Sequence, residues 1–422
     1  MATCGFSGAV NAQGPERDYA TVHEARERDS LAVEAFVKSK RGITLAEKGG
    51  NMMISGEVHM EWSHLRARNH HQRQRGSGTS HLHPPAGKHA PYATNEFGVE
   101  ADLMFDYKAD RTWAAIQLQM DNEAGIRSHD WKEGINDTKN YLWGSGTLDD
   151  LVLRKAYMGY NILELGTARL DVELGRRRFY DVFDSRVQFN SYFDGLMLKY
   201  AESFEGLFDF TAKTAAFVID DTVNHFGYVG ELGFLNIMDT GLDFKYSLID
   251  WDTVATNRYG ARHPRGAQFL NNQYTLAYNV SPDMLGVKTK LYGAYLNNAH
   301  AHRNRFFNHH NKGNAWYAGV KFGEVRKAND WAVDANYQWV QAQAVSECDA
   351  SGIQRDNPRN ISIYKRKSGG FANYKGFEID TFYAVTDNLT LNVKFDRVHQ
   401  ESRAVGGKHR SWQFQVEAVY AF

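Results

Sequence analysis

Apolar and polar residues alternate with a period of two along most of the chain from residue 51 onward. Because successive side chains of a β-strand point to opposite faces, this alternation predicts strands with one apolar and one polar face. The last segment is the clearest, since Trp412, Phe414 and Val416 alternate with Gln413 and Gln415. About sixteen segments follow the same rule and predict an all-β chain. They lie near residues 51–62, 96–107, 114–121, 150–160, 168–177, 195–201, 207–218, 225–235, 241–251, 273–280, 287–296, 315–323, 331–341, 376–385, 389–399 and 412–422.

The connections between these segments alternate between short and long. Short connections follow the even-numbered segments, and long ones follow most odd-numbered segments, with exceptions at 220–224 and 400–408. A barrel of the bacterial outer membrane has short turns at its periplasmic rim and longer loops at its external rim. The pattern therefore predicts one transmembrane antiparallel β-barrel of about sixteen strands, with both chain ends on the periplasmic side. The long connections are 66–95, 122–146, 178–194, 252–268, 297–314 and 342–372.

The two faces of the predicted strands favour a membrane over water as the surroundings. In hydrocarbon every backbone N–H and C=O group needs an internal partner, so a spanning sheet must close. Tryptophan and tyrosine prefer the level of the lipid headgroups, where tryptophans near segment ends would lie. A soluble sandwich or propeller is the alternative, but its dry core would contain the charges of the polar faces. The tryptophans near segment ends are Trp62, Trp113, Trp316, Trp331, Trp339 and Trp412.

Composition narrows the class of protein further. The 422 residues are 42% hydrophobic and 13% aromatic, which excludes a wholly disordered chain. A formal net charge of −1 argues against a dedicated nucleic-acid binder, which has a basic excess. Cys4 and Cys348 are too few for a disulfide framework and lack the spacing of a metal site.

The residues before the first predicted strand do not follow the alternating pattern. Residues 1–13 end in a small-residue stretch that resembles a signal cleavage site, but they lack the charged start and apolar run of a secretory signal. We interpret them as the remnant of a truncated signal. Residues 14–49 are rich in charge and predict a short helical or irregular periplasmic extension. Residues 50–422 form the predicted barrel domain.

Four stretches carry motifs that are more specific than alternation. Asp330–Val345 reads DWAVDANYQWVQAQAV, and Gly369–Phe395 contains a Lys-Gly-hydrophobic-Glu strand, a Thr-Asp-Asn turn and a further strand. Leu151–Arg178 combines Leu-Arg-Lys-Ala-Tyr with a Gly-Arg strand end, and the chain closes on Tyr420-Ala421-Phe422. In these stretches the sequence resembles the bacterial outer-membrane porin family. It departs from that family in a His-rich first loop and in a basic loop that carries Cys348.

The resemblance implies a protein of the bacterial outer membrane that lets small hydrophilic solutes and ions diffuse passively through a water-filled barrel. It also implies contact with the lipid bilayer, recognition of the C-terminal strand by the barrel-assembly machinery, and a homotrimer. Because the sequence lacks the common hydrolase and nucleotide-binding motifs, we expect no catalytic residue, no cofactor and no nucleic-acid partner. Two alternatives stay open, a surface-exposed adhesin barrel and an outer-membrane barrel enzyme.

A pore constriction is expected in the third long connection, residues 179–194. In porins of sixteen strands the corresponding loop folds into the lumen and narrows it. The resemblance implies the same here, with Arg177, Asp181, Asp184 and Arg186 facing one another. Opposed charges of this kind orient and filter small polar solutes. The alternative is an ordinary solvated loop.

The polar faces of the predicted strands carry charges of both signs. This mixture predicts a lumen with weak ion selectivity. The charged residues predicted to line the pore are Lys245, Lys288, Lys290, Asp243, Asp334 and Lys394.

Histidines gather in two predicted external loops. Neutral imidazole is a common metal ligand, so capture of Zn²⁺, Cu²⁺ or Ni²⁺ is one interpretation. The histidines lack a fixed spacing and a supporting carboxylate pattern, so we interpret them as solvated loop residues and predict no metal site. They are His70, His71, His81, His83, His89, His300, His302, His309 and His310.

Overall fold

The fold consists almost entirely of β-strands. The computed structural model describes residues 43–47, 50–69, 92–123, 150–220, 225–251, 269–301, 303, 310–346, 349–353, 372–403 and 409–422. No helix among these residues is long and apolar enough to cross a lipid bilayer. The strands are β1 (Ile43–Glu47), β2 (Gly50–Asn69), β3 (Tyr92–Ala109), β4 (Thr112–Glu123), β5 (Asp150–Leu165), β6 (Ala168–Arg178), β7 (Tyr192–Phe204), β8 (Phe208–Asp220), β9 (His225–Ile237), β10 (Leu242–Asp250), β11 (Leu270–Val280), β12 (Thr289–Asn298), β13 (Asn314–Gly323), β14 (Trp331–Val340), β15 (Tyr374–Ala384), β16 (Leu389–Gln400) and β17 (His409–Ala421).

Strands β2 to β17 form a closed ring. Each strand pairs antiparallel with the next one along the chain, and β17 returns to pair with β2. At this seam the register runs from Ala421 opposite Glu57 to His409 opposite Asn69. The described sheet has 17 strands, so without β1 the barrel has sixteen. The predicted all-β class, antiparallel order and strand number are confirmed.

The two faces of the barrel wall differ as the alternation predicts. On β14, Trp331 and Tyr337 point outward and are 47% and 37% exposed, whereas Asp334 and Gln338 point inward and are fully buried. The same outward row of exposed apolar side chains runs around the ring. Its members include Met60, Trp62, Phe97, Ile116, Leu153, Leu174, Leu198, Tyr228, Leu276, Leu291, Tyr295, Trp316, Ile379, Leu391 and Tyr420.

A β-bulge in β5 accommodates two adjacent charged residues that break the alternation of polar and apolar positions. Arg154 and Lys155 are adjacent, so a regular strand would send one of these charges to the outer face. The register between β4 and β5 skips Arg154, which is the extra residue of the bulge. The bulge lets Leu153 stay on the outer face while Lys155 is buried inside the barrel, as bulges re-aim side chains.

A short strand precedes the barrel. β1 pairs with the first residues of β2, from Glu47 opposite Gly50 to Ile43 opposite Ile54. It occupies the edge of β2 that lies beyond the end of β17 and so gives backbone partners to residues that β17 does not reach. The expectation of a helical or irregular extension is wrong for residues 43–47. Residues 1–42, 48 and 49 lie outside the described residues, so the signal remnant and the extension stay predictions.

The C-terminal residue belongs to the seam of the barrel. The Phe422 N–H donates to the carbonyl oxygen of Gly56 at 2.9 Å, and the Gly56 N–H donates back at 3.0 Å. The phenyl ring of Phe422 covers Gly56 so closely that a Cβ there would lie 2.6 Å from a ring carbon. Position 56 therefore needs glycine, because another backbone or ring approaches it at short range.

Short turns join the strands at one rim. Residues 110–111, 166–167 and 205–207 connect β3 to β4, β5 to β6 and β7 to β8. Gly166 and Gly206 adopt positive φ angles of 59° and 71°, which only glycine reaches without strain. Longer connections leave from the opposite rim, and one of them is the site described next.

Candidate functional site

The connection between β6 and β7 folds into the barrel. Its residues 179–191, called the inner loop below, are nearly all buried. A short 3₁₀ turn at Phe179–Asp181 starts the loop. At its base the Phe179 N–H donates to the carbonyl oxygen of Ser191 at 2.9 Å. The prediction of an inward loop in this stretch agrees with these positions, and a solvated external loop does not.

An aromatic cluster holds the near end of the inner loop against the wall. The ring centroid of Phe179 lies 5.0 Å from that of Phe217 and 5.9 Å from that of Trp251, in edge-on arrangements. Such contacts stabilise beyond the burial of apolar area. Apolar residues of β7 to β10 thus form a dry patch inside a mainly polar barrel. The cluster contains Phe179, Val182, Phe183, Phe189, Phe193, Met197, Ala215, Phe217, Val229, Ile249, Trp251 and Phe269.

Polar contacts fix the far end of the inner loop to a second part of the wall. Lys245 on β10 places its Nζ 2.9 Å from Asp184 Oδ2. The Ser185 hydroxyl donates to Oε1 of Gln273 on β11 at 2.7 Å. Further along, Arg186 reaches Asp334 on β14. Since β14 lies seven positions from β7 in a ring of sixteen, the inner loop crosses the lumen.

Arg186 is the most deeply held residue of the inner loop. Its Nη2 lies 2.6 Å from Asp334 Oδ2, and both side chains have no exposed surface. The guanidinium also lies over the ring of Tyr292 at 4.6 Å, and the Tyr292 hydroxyl donates to the other oxygen of Asp334. Burial opposes the charge of Arg186, but its electrostatic interactions with Asp334, Tyr292, Glu378 and Asp380 together outweigh burial and raise the pKa of the guanidinium above its usual value.

A second segment, which follows β14 along the chain, packs against the inner loop. It comprises residues 341–346 and 349–353 and is called the clamp segment below. The Asp349 carboxylate accepts hydrogen bonds from the Phe189 N–H at 2.9 Å, the Ser191 N–H at 3.1 Å and the Ser191 hydroxyl at 2.6 Å. The Ser351 N–H donates to the carbonyl oxygen of Val187 at 3.1 Å. The clamp segment therefore supplies backbone partners that the irregular inner loop cannot supply itself.

Asp349 is completely buried among these donors. Burial raises the pKa of its carboxyl to about 6, although the hydrogen bonds from Ser191 and Phe189 favour the charged form and oppose the rise. The contact between the clamp segment and the inner loop is thus sensitive to mildly acidic pH.

The four residues predicted as the constriction all lie inside the barrel, but they do not pair as expected. Arg177 forms an ion pair with Glu173 on its own strand, and Asp181 lies 3.0 Å from Lys155 Nζ. Asp184 and Arg186 pair with the wall residues Lys245 and Asp334, as described above. Asp181, Asp184 and Arg186 each pair with an opposite charge on the wall, so we describe these three as anchors of the inner loop, whereas the Arg177 pair lies within β6. Their role in narrowing a pore stays a prediction.

Three of the predicted pore-lining residues are buried by the inner loop or by neighbouring strands. Lys245 and Asp334 hold the loop itself, and Lys394 lies 3.5 Å from Glu378 inside the barrel. Sequence reasoning placed them on the correct face but could not show which segment covers them.

The other three predicted pore-lining residues lie elsewhere. Lys290 is buried on β12 beside Lys321 of β13, its partner in the register. Lys288 lies in the turn before β12, half-exposed, with its Nζ 3.0 Å from Glu324. Asp243 lies near the same rim and accepts hydrogen bonds from the backbone of Asn236 at 2.9 Å and from the side chain of Asn279 at 3.0 Å.

Partly exposed inward charges concentrate on one sector of the ring, from β2 to β8. The inward charges of β14 to β16 are buried, and those of Asp380 and Asp396 are at most 1% exposed. The partly exposed set is acidic on β2 and β3 and mainly basic on β6 to β8, so the two signs concentrate on different parts of the ring. Sequence reasoning missed this division, which needs the burial of each position. The set contains Glu61, Glu100, Asp106, Arg169, Lys199, Asp209 and Lys213.

Comparison with known proteins gives likeness in architecture only. No family model matches the sequence, and no curated protein matches it. The chain is similar to OprB of Pseudomonas putida at high pH, with a TM-score of 0.48, 11% identity and coverage of 87% of this chain and 94% of that one. It is similar to Salmonella typhi OmpF in complex with daunomycin, with a TM-score of 0.47, 13% identity and coverage of 90% and 100%. It is also similar to a triple mutant of Rhodopseudomonas blastica porin, with a TM-score of 0.40, 10% identity and coverage of 88% and 100%.

One group of metal-ligand side chains lies inside the barrel, within the part of the chain that the structure describes. It is Glu57, His59 and Asp102, whose ligand atoms all lie within 4.8 Å of one another. Of the loop histidines considered in the sequence, His300 and His310 are described and are not part of this group. The rest lie outside the described residues, namely His70, His71, His81, His83, His89, His302 and His309.

Proposed function

We propose that the chain is a porin of the bacterial outer membrane, through which small hydrophilic solutes and ions diffuse passively. The observation that carries the proposal is a closed ring of strands whose inner face is polar and whose outer face is apolar. A closed ring leaves no unpaired strand edge, which is the condition for a sheet to cross hydrocarbon. A ring of sixteen strands is also wide enough for an aqueous channel.

The outer face supports a lipid surrounding. Its apolar row includes Trp331 at 47% and Tyr420 at 51% exposure near strand ends, and Leu276 at 53% and Leu291 at 47% further along. A soluble protein rarely exposes so extended an apolar surface. Aromatic side chains near the rims suit the headgroup level, and aliphatic ones between them suit the acyl chains.

The route for solutes follows from burial inside the barrel. The inner loop packs against β7 to β11 and reaches β14, and with the clamp segment it fills that side of the lumen. We therefore place the passage on the other side, beside β2 to β6, with Glu61 and Glu100 lining it and the partly exposed Lys199 and Lys213 at its edge. Solutes passing there meet charges of both signs, which agrees with the expected weak ion selectivity.

The proposal extends to assembly. Tyr420 and Phe422 of the last strand are about half-exposed on the outer face, where an assembly machine can reach them. A homotrimer is part of the proposal and is tested by comparing unheated and heated samples, with and without cross-linker, on gels.

Recording from planar bilayers tests the function. We expect the purified, refolded chain to produce stepwise, ohmic increases in conductance that a heat-denatured sample does not produce. A folded barrel that inserts into vesicles but conducts no ions would contradict the proposal and favour an adhesin. An enzyme would instead hydrolyse lipid or peptide in a matched assay.

A further inference from the structure

The structure brings three potential metal ligands together on the two strands beside the barrel seam. Glu57 on β2 lies directly opposite Asp102 on β3, and His59 follows two residues later on the same face of β2. Their nearest ligand atoms are all within 4.8 Å of one another, and one nitrogen and two carboxylate oxygens can therefore reach a common centre. We propose that Glu57, His59 and Asp102 form a binding site for a divalent transition-metal cation inside the barrel.

His59 is oriented as a metal ligand by a fourth residue. Its Nδ1 lies 2.8 Å from Oε1 of Glu417 on β17, and its Nε2 lies 3.1 Å from Oε1 of Glu57. If the Nδ1–H donates to Glu417, the Nε2 lone pair points toward Glu57 and Asp102. A carboxylate on the distal nitrogen fixes the tautomer and strengthens the imidazole as a ligand, as at many metal sites.

The negative charge around this centre favours the binding of a cation. Glu57 and Asp102 are 4% and 5% exposed, and like charges directly opposite each other in a sheet are destabilising. Glu100 and Glu57 place further negative charge near Asp102, and His59 and Arg154 oppose it. One carboxylate oxygen of Asp102, Oδ1, is buried without a hydrogen-bond donor, which leaves it available to a metal ion.

The donor set selects the class of metal. Carboxylate oxygens alone suit Mg²⁺ and Ca²⁺, whereas imidazole nitrogen suits Zn²⁺, Cu²⁺, Ni²⁺ and Fe²⁺. One imidazole with two carboxylates therefore favours a first-row transition metal over an alkaline-earth ion. We take Zn²⁺ as the probe because it has no redox chemistry and accepts mixed nitrogen and oxygen ligands.

The competing interpretation is a protonated histidine. An imidazolium at position 59 could donate one hydrogen bond to Glu57 and another to Glu417 at the same distances. In that case a proton occupies the position proposed for the metal, and the barrel takes up no metal there.

Isothermal titration calorimetry distinguishes the metal site from the protonated histidine. The full, refolded and chelator-stripped protein is titrated with ZnCl₂ in detergent at neutral pH. We expect one equivalent of Zn²⁺ whose dissociation constant rises at least tenfold in Asp102→Asn and in His59→Gln. The matched control is Asp209→Asn, which removes an inward carboxylate on β8, far from the seam, and should leave binding unchanged. This readout does not require ion conduction, so its failure is separate from failure of the proposed function.

Two results would overturn the proposal. The first is absence of Zn²⁺ uptake by the wild-type barrel, which assigns a proton to His59. The second is equal uptake by all variants, which assigns the metal to the external histidines. If the variants do not refold, X-ray absorption at the zinc edge of the wild-type protein still decides. One imidazole with an oxygen shell supports the site, and two or more imidazoles contradict it.

Discussion

Arg186 and Asp334 form a buried ion pair that joins the inner loop to the opposite wall of the barrel. The guanidinium and carboxylate are 2.6 Å apart, and neither side chain has exposed surface. Desolvation of two buried charges is expensive, and Tyr292 offsets part of that cost with a hydrogen bond to Asp334 and a ring contact to Arg186. The pair therefore matters more for the position of the loop than for net stability.

Arg186→Ala should release the inner loop and destabilise the barrel. Removing one partner leaves the Asp334 charge buried alone, which costs about 3–5 kcal/mol in such pairs. We expect a lower urea midpoint in lipid vesicles and a larger, noisier single-channel conductance. Arg326→Ala is the control, since that ion pair with Glu324 lies in an exposed turn and should change stability by less than about 1 kcal/mol. Equal effects of the two variants would contradict the role given to Arg186.

The burial of Asp349 should make the folded barrel less stable relative to the unfolded chain as pH rises. Its pKa is about 6 in the folded barrel and about 3.9 in an unfolded chain, so between these values the folded state binds more protons. The contribution of this group to stability is therefore present below about pH 4 and is lost as pH rises through 6. Relative to Asp349→Asn, wild type should lose on the order of 2–3 kcal/mol over that range.

Urea titrations of wild type and Asp349→Asn at several pH values measure this difference. Asp330 provides a control of opposite sign, because backbone hydrogen bonds from Lys327 and Arg326 lower the pKa of its exposed carboxyl. Relative to Asp330→Asn, wild type should lose stability as pH falls. A wild-type advantage over Asp349→Asn that grows between pH 4 and 7 would show that the sign is wrong.

Gly159→Ala should displace Trp113 and destabilise the barrel by about 1–3 kcal/mol. A Cβ at position 159 would lie 2.1 Å from the indole of Trp113, whose Nε1–H donates to Glu173 at 3.1 Å. Tryptophan fluorescence and a thermal midpoint report the change. Gly98→Ala is the matched control, since a Cβ there meets no atom within 4 Å. The close-packing explanation fails if both variants behave alike.

Leu276→Arg tests whether the outer face meets lipid. Leu276 is 53% exposed near the middle of β11, and arginine at the bilayer midplane costs about 2–4 kcal/mol. We expect a marked loss of stability in vesicles. Met284→Arg, in the short helix Pro282–Leu285 at the rim and 73% exposed, should cost no more than about 1 kcal/mol. Full tolerance of arginine at 276 would argue for a water-facing surface.

Charge neutralisation on the two sides of the proposed passage should shift ion selectivity in opposite directions. Glu61→Gln with Glu100→Gln should move the reversal potential toward anion permeation, and Lys199→Gln with Lys213→Gln toward cation permeation. Lys288→Gln, at an exposed turn where solvent screens the charge, should have little effect. The passage is misplaced if Lys288→Gln has the largest effect of the three.

The barrel itself could be predicted from the sequence because its signals are local. Alternation decides which face each residue occupies, and Trp331 and Asp334 lie on the faces that it predicts. Loop lengths predict which rim a connection leaves from. The resemblance to porins adds the inward course of the inner loop. The sequence also shows that the adjacent charges of Arg154 and Lys155 break the alternation, but it does not predict the bulge that accommodates them.

The contacts inside the barrel could not be predicted because they join residues that are distant along the chain. Arg186 and Asp334 are 148 positions apart, and His59 and Glu417 are 358 apart. Face periodicity assigns each residue to the lumen but not to a height or a partner. The grouping of Glu57 with Asp102 likewise depends on the register between β2 and β3, which no local sequence pattern specifies.

The meeting of Gly56 with Phe422 has a consequence for biosynthesis. Because β17 pairs with β2 from His409 to Ala421, and Phe422 extends this pairing to Gly56, a chain that lacks β17 cannot close the ring. A chain truncated before β17 would have two unpaired strand edges, on β2 and β16. Each unpaired backbone group would cost several kcal/mol in hydrocarbon. If the barrel lies in a membrane, as proposed, its ring can therefore close only after β17 has been made, so closure follows the synthesis of all the other strands.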